Sequence, residues 1–333
     1  MISVIHYIDR DIMITSKGAQ VNINYNEEKI PDITFALPLP PKFRLRALSN
    51  LSSRLFRCSI HHAIRINENI IVLIGFGVIY TYDLKANRLN QDVMPVYGKR
   101  PLNLCADNDS MLYYGEYSGN QERSPVYVYG SNTKGKHFLP VWRFTGIRHV
   151  HGVFHDHYDN RIWVTTGDND EESGIWVTND RFKTLDKVIG GSQQMRAVQL
   201  LFTEDHVYFG SDTPLEKNHI YRMEKETGQL EKLQEVESSV FWGCKVGNCL
   251  FFSTVVEPSK VNKCKDVCIW GSKDGEKWKC VARFRKDIWP MKLFQYGQIF
   301  FPVGENNTIY LWFTPFATEK HMTVQKLNVT ELF

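Results

Sequence analysis

The sequence predicts an all-β propeller of six four-stranded blades in a single domain spanning residues 1–333. Three observations predict it: short runs crowded with aromatic and β-branched residues, their recurrence at a near-constant period, and no helical periodicity sustained for three turns. The runs are IIVLIGFGVIYTYDL (70–84), MLYYGEYSGN with VYVYGSN (111–132), RIWVTTGDND with GIWVTND (161–180), HVYFGSDT with HIYRME (206–224), CLFFSTVVE with VCIWGSKDG (249–275) and QIFFPVGENN with TIYLWF (298–313). Their central residues, Ile74, Tyr114, Thr166, Phe209, Phe252 and Pro302, are 40, 52, 43, 43 and 50 residues apart, within the range of propeller blades.

Each unit opens with a further strand-like segment: CSIHHAIRI, PLNLCADN, HVHGVFHD, RAVQLLFTED, VFWGCKVGN and PMKLFQYG. Several close on a polar one, such as LDKVIG or KWKCVARF, which makes four strands per unit. A large β-sandwich is the competing architecture, but sandwiches need not repeat. Residues 57–333 carry the repeated blades, and residues 1–56 read as N-terminal strands and a linker. DIMITSKGAQVNINYN (11–26) reads as the third and fourth strands of a blade without its first two. Pairing it with MTVQKLNV (322–329) would close the ring as a seventh blade, the alternative count. PLPPKFRLRALSNLSSRLF (38–56) reads as a linker with a short helix.

Bulk composition excludes several classes. Hydrophobic residues at 43% and aromatics at 13% can bury a large core, which rules out a disordered chain. Forty basic against 37 acidic residues give a net charge of +3, no general case for nucleic acid or an anionic membrane. No stretch approaches the 18 or so apolar residues of a membrane span. The start, MISVIHYIDRDIMI, lacks the pattern of an export signal. The seven cysteines, with Cx4C and Cx3C spacings and no nearby histidine, read as reduced thiols. These features predict a cytoplasmic monomer.

GSKDGEKW (271–278) resembles the Asp-box, the S-x-D-x-G-x-x-W turn of sialidases and other BNR-repeat propellers, shortened by one residue because Asp274 and Gly275 are adjacent. Weaker echoes are TSKGAQV (15–21), GSNTKGKHF (130–138) and VTNDRFKTL (177–185). The resemblance covers roughly residues 60–315 as architecture. It implies a turn between third and fourth strands whose carboxylate ties down backbone N–H groups over a buried aromatic. That turn is a folding device away from any site. In sialidases an arginine triad grips the substrate carboxylate, but the arginines here are spaced differently and those roles do not transfer.

Antiparallel neighbours put the start of each first strand and the end of each second strand on one face. Arg100, Arg148 and Arg196 stand at the first position, 48 residues apart, and Glu116, Asp168, Asp212, Glu257 and Glu305 at the second. One reading is an anion-binding funnel, since a guanidinium fork matches carboxylate or sulfate. The plainer reading is that each arginine pairs with a neighbouring blade's carboxylate. His149 and His151 share one side of a strand and, with His61 and His62, form a histidine sector suited to general base chemistry, a divalent metal or plain core hydrogen bonding. His155 and His157 read as surface residues of the far face. Tyr117, beside Glu116, is a candidate nucleophile if the strand has ended there. Gln193, Gln194, Asn169 and Asn218 are candidate partners for sugar hydroxyls, and Trp163, Trp176, Trp270 and Trp278 read as blade packing.

The leading expectation is a carbohydrate-active enzyme on an acidic glycan, a sialidase-like hydrolase or a lyase. Glu116, Asp168, Asp212, Glu257, Tyr117 and His151 would be catalytic, and Arg100, Arg148, Arg196, His149 and Gln193 substrate-binding. It needs no cofactor, although a divalent metal at His61, His62, His149 and His151 is a weaker option. A non-catalytic propeller that binds a glycan or protein partner is the alternative, and a metal-dependent hydrolase the third reading.

Overall fold

In a computed structural model, which describes residues 3–25 and 30–333, the chain forms seven consecutive antiparallel sheets, the blades of a propeller. The count is seven, the alternative above, and not six. The first strands of the blades are Val4–Ile8, Ile60–Asn67, Cys105–Ala106, His149–Asp156, Ala197–Phe202, Val240–Val246 and Gln298–Phe300. The second strands are Met13–Lys17, Ile70–Gly75, Leu112–Gly115, Arg161–Gly167, His206–Ser211, Cys249–Thr254 and Tyr310–Phe316. Strands pair in sequence order within every blade, and first strands of neighbours lie against one another, as His149–Asp156 does against Ala197–Phe202.

Side-chain alternation explains why these sheets stack into a ring. In Ile70–Gly75, Ile71 and Leu73 join the apolar cluster shared with the first blade, while Ile70, Val72 and Ile74 join the one shared with the third. Both faces are buried, so the strand reads as an unbroken apolar run. Clusters of the same kind fill the boundaries between blades three and four, four and five, five and six, and six and seven.

Two parts of the sequence reading are corrected. Residues 11–24 are the second and third strands of a first blade whose first strand is Val4–Ile8 and whose fourth is Ile33–Ala36. The C-terminal strand Gln325–Asn328 pairs with Tyr310–Phe316 in the seventh blade, so among the described residues no strand is shared across the closure. In that three-stranded blade PMKLF forms a one-turn helix, Met291–Phe294, and Gln298–Phe300 is the first strand. It starts beside Val256 and runs on to Val303, which bridges Tyr7 at the opposite face. Glu305 therefore stands exposed on that opposite face, away from the other four carboxylates.

The seam between first and last blades is backbone-bonded: Ile8 N–H donates to Val303 O (2.9 Å), Val303 N–H to His6 O (2.9 Å) and Ser3 N–H to Met322 O (2.6 Å). The linker after the first blade reinforces it through the predicted helix, Asn50–Leu55, which Ser49 caps by accepting from Ser52 N–H. Its buried Arg54 binds Asp287 (2.6 Å), donates twice to Phe294 O (3.2 and 3.1 Å) and lies against the Phe294 and Phe316 rings.

The turn at 271–278 has the bonding that its resemblance implies. Asp274 accepts from Glu276 and Lys277 N–H (both 2.9 Å), Ser272 from Gly275 N–H (2.9 Å), and Trp278 is buried beneath. Gly275 has φ +79°, and a Cβ there would lie 2.4 Å from the Tyr208 hydroxyl. GSNTKGKHF and VTNDRFKTL occupy the same third-to-fourth strand turn, over Phe138 and Phe182. TSKGAQV instead joins second and third strands of the first blade. All seven cysteines are free thiols. Among the described residues no helix is long and apolar enough to cross a membrane.

Arg54→Ala is expected to lower the unfolding free energy by about 3 kcal/mol, because Asp287 loses its main buried partner. Urea denaturation checks it; a change under about 0.5 kcal/mol would mean that the seam does not rely on this pair.

Candidate functional site

The upper face, where first strands begin and second strands end, gathers most of the singled-out polar residues. A register shift early in the first strand recurs, leaving His6, His61 and His151 as extra residues in their blades. Such bulges re-aim a side chain out of the pleat, here towards the axis.

Asp168, just past the end of its strand, is the hub. Its Oδ2 accepts from Arg148 Nη1 (2.6 Å); its Oδ1 lies 3.3 Å from Arg196 Nη2, 3.4 Å from His149 Nε2 and 3.6 Å from His151 Nε2. Burial alone would push its carboxyl up, but hydrogen bonds from the two imidazoles, when these are protonated on Nε2, and the Arg196 charge outweigh burial and hold it well below the usual carboxylate range. The two histidines are buried, with their Nε2 atoms 3.1 Å apart. His149 Nδ1 faces Ser118 O (2.9 Å) and His151 Nδ1 faces Ala197 O (3.0 Å). A carbonyl only accepts, so both Nδ1 atoms carry the proton. A Cβ at position 167 would lie 2.6 Å from His151 Cε1, so Gly167 makes room for that ring.

Arg196 also binds Asp212 (3.1 Å) and so ties the fourth blade to the fifth. Asp212 is buried, and its Oδ1 has no hydrogen-bond partner among the described residues. Glu257, one blade on, accepts from Ser239 Oγ (3.1 Å); burial first, then the charge of Asp212, push its carboxyl up. Asp168 and Glu257 thus have opposite proton affinities on one face, the arrangement that separates a base from an acid.

The second and third blades supply the opposite charge. Arg100 is half-buried, and the charges acting on it are Arg57 and Tyr117, with no carboxylate among them. Burial, then Arg57, bring its pKa down to about 10. His61 and His62 adjoin it, and burial is the main cause lowering both; His62 comes down to about 4. His62 Nε2 is spent on Pro101 O (2.8 Å) and His6 Nε2 on Ser16 Oγ (2.7 Å). Among the described residues the metal-capable group is His149, His151 and Asp168, so the four-histidine sector is not one site.

Several expectations change. Glu116 turns into its own blade, where it accepts from Tyr127 N–H (3.1 Å), and no ion pair joins it to the Asp168 cluster. Its strand ends at Gly115, so Tyr117 is free to face the axis; it lies on the His149 ring, with centroids 4.2 Å apart. Burial, then Asp212 and Asp168, push its pKa up to about 12, which favours the protonated hydroxyl. Gln193 is not open to a sugar: it donates to Asp168 O (2.8 Å) and accepts from Thr213 Oγ1 (3.1 Å), holding the Asp168 turn. Gln194, Asn169 and Asn218 are likewise engaged by protein partners. Arg148 and Arg196 are already bonded to carboxylates, and among the described residues no ion pair holds Arg100.

Four contributors escaped the sequence reading: Glu172, Arg57, Tyr296 and His6. Buried Glu172 accepts from Arg123 (2.7 Å), Asn169 (3.0 Å) and the backbone of Arg148 (2.9 Å), so it sets the loop that carries Asp168. Tyr296 stands beside Glu257. Of these, His6 alone gave a signal, a histidine in a β-rich run like those around His61 and His151.

No family model and no curated protein matches the sequence. The fold is similar to dihydro-heme d1 dehydrogenase NirN (TM-score 0.58, 13% identity, 99% of this chain and 62% of that one). It is also similar to a prolyl endopeptidase (0.62, 10%, 99% and 48%) and to the extracellular domain of the system BT4673 of B. thetaiotaomicron (0.59, 12%, 97% and 38%). The chain spans less than two thirds of each. At these identities the likeness establishes the seven-bladed propeller fold alone.

Glu257→Gln is expected to raise the melting temperature in mildly alkaline buffer and to leave it unchanged near pH 4. A carboxyl whose folded pKa is raised is favoured while protonated, below the unfolded value of about 4.3; that contribution is lost as pH rises through the folded pKa. Glutamine keeps the Ser239 contact and removes the charge. Melting curves across this window check it, and equal shifts at both ends would contradict the Asp212–Glu257 repulsion.

Proposed function

We propose that this protein is a carbohydrate-active enzyme, a hydrolase or a lyase, whose substrate is an acidic glycan bound on the upper face. The observation that carries the reading is Arg100, part-buried, under the like charge of Arg57 and with no ion pair among the described residues, on the face where Asp168 and Glu257 differ in proton affinity. Two guanidiniums without a counter-charge repel, and a carboxylate or sulfate removes that repulsion through charge-assisted hydrogen bonds. Glu257, protonated above the usual range, is suited to protonate a leaving oxygen. Asp168, held ionised, is suited to stabilise positive charge that develops on the substrate. The exposed rings of Tyr296 and Trp289, on the loop before the seventh blade, offer flat apolar surface to a sugar.

One observation favours a second reading, a propeller that recognises such a ligand without transforming it. Arg196 is shared by two carboxylates of different blades, as a structural lock would be.

Arg100→Ala separates binding from stability. Affinity for uronate, sialyl or sulfated oligosaccharides is expected to fall about 10- to 100-fold, the worth of a charged hydrogen bond. The melting temperature should hold or rise, because a poorly compensated cation is removed. Arg196→Ala should instead lower it sharply, since buried Asp212 loses its guanidinium and Asp168 one of its two. Calorimetry and thermal unfolding of both variants check this. If the parent binds no acidic oligosaccharide at millimolar concentration, the reading fails. Binding without product release or elimination by the parent selects recognition.

A further inference from the structure

We infer that His149, His151 and Asp168 form a binding site for one divalent metal ion of the zinc class, with a coordination position left for an exchangeable ligand. The inference stands apart from the anionic-substrate reading, since an enzyme and a recognition module can both hold such an ion.

The first argument is which atoms face one another. Both Nδ1–H groups are spent on backbone carbonyls, Ser118 O and Ala197 O. With Nδ1–H so fixed, an imidazole in its neutral form directs the lone pair of Nε2 inwards, and the two Nε2 atoms stand 3.1 Å apart. The third group in the cluster, Asp168 Oδ1, is also an acceptor, 3.4 and 3.6 Å from them. Three converging lone pairs repel unless something positive sits between them. A proton on one nitrogen would satisfy the His149–His151 edge and leave the longer Asp168 edges open. A metal ion satisfies all three.

The second argument is size. A triangle with sides of 3.1, 3.4 and 3.6 Å has a centre about 2.0 Å from every corner, and zinc bonds to nitrogen and oxygen run about 2.0–2.2 Å. Ligand-to-ligand edges in a tetrahedral site of that bond length are about 3.4 Å, the middle of the observed three. The second shell is in place as well: each imidazole is oriented by a carbonyl on its other nitrogen, and Asp168 Oδ2 is fixed by Arg148 at 2.6 Å. Gly167 leaves the room that the His151 ring needs.

The nearby arginines do not close the site. Arg148 uses Oδ2, and Arg196 is nearer to Asp212 (3.1 Å) than to Oδ1 (3.3 Å). Asp168 and Asp212 balance the two guanidiniums, and Glu257 adds a third carboxylate to the surroundings. Among the described residues no fourth histidine, cysteine or carboxylate joins the three donors. Two histidines, one carboxylate and a remaining position make the donor set of a catalytic metal centre and not of a closed structural one. A bound ion would acidify a water or polarise an anionic ligand beside Tyr117.

The test uses the full chain, stripped with a chelator and titrated calorimetrically near neutral pH with zinc, cobalt(II) and manganese(II) chlorides in turn. The expected result is one equivalent of zinc or cobalt bound with micromolar or tighter affinity. His151→Asn and Asp168→Asn should each weaken binding by about 100-fold or more, beyond the usual cost of second-shell losses, while exposed-loop His157→Ala should not. Cobalt provides a readout on the parent alone: it should shift the hydrogen-bonded Nδ1–H proton resonances of His149 and His151, whether or not a variant folds. Failure to take up any of the three metals overturns the inference. So does uptake that leaves both resonances in place, or that both variants retain.

Discussion

Every blade of this protein has two apolar faces, and neither can be left to water. A lone four-stranded sheet covers one face against a helix or a second sheet, but Ile70–Gly75 sends alternate side chains into two different clusters. The same holds at each boundary from the first blade to the seventh, and the seam between seventh and first is closed by backbone hydrogen bonds. Polar groups then have few places to go. They collect at the two rims and along the axis, where first strands meet and no further blade can cover them. The site is therefore a consequence of the packing, and its residues come from the ends of strands because those are the points that the clusters leave open.

That placement carries a cost which the charges settle among themselves. Asp168 and Asp212 are largely removed from water, and each is paired with a guanidinium, Asp168 with Arg148 and Arg196 and Asp212 with Arg196. Arg196 shows how a lock between blades and a site residue can be one side chain: it fixes the fourth blade to the fifth while setting the field around His151, Tyr117 and Glu257. Removing one partner from such a group costs more than the group contributed, because the remainder is a buried, uncompensated charge.

Much of this was legible in the sequence, for definite reasons. Arg148 and Arg196 with Asp168 and Asp212 recur at fixed offsets from long second strands, so the blade register transferred their position correctly. Register failed where the first strand is short or absent as a pattern. Cys105–Ala106 has two residues and Gln298–Phe300 three, too few for alternation to show, and the apolar turn PMKLF imitates a strand. That shift by one strand carried Glu305 to the wrong face. The first blade was missed because VIHYI (4–8) stands apart from the hairpin after it, and the bulge at His6 interrupts its alternation. Orientation was not legible at all: nothing in YYGEY tells that Glu116 turns back to Tyr127 while Tyr117 faces the axis. Contacts made through backbone atoms, which also hold Gln193, leave no trace in residue type.

The bulges join these threads. An extra residue early in a first strand disrupts pairing with the second, which weakens a blade, and yet the shift recurs in the first, second, fourth, fifth and sixth blades. In three of them the extra residue is histidine. In the fourth blade the bulge also sets the geometry: without it His149 and His151 would follow the ordinary pleat, whereas here their Nε2 atoms converge within 3.1 Å. In the first and second blades the extra residues are His6 and His61; His61 feels the charges of Arg100 and Arg57, and among the described residues no carboxylate is paired with Arg100. The face is thus divided by blade, with acceptors gathered in blades four to six and cationic or neutral donors in blades one to three. A ligand with one anionic end and one end able to reach the Asp168 cluster would be aligned by that division before any contact specific to its structure was made.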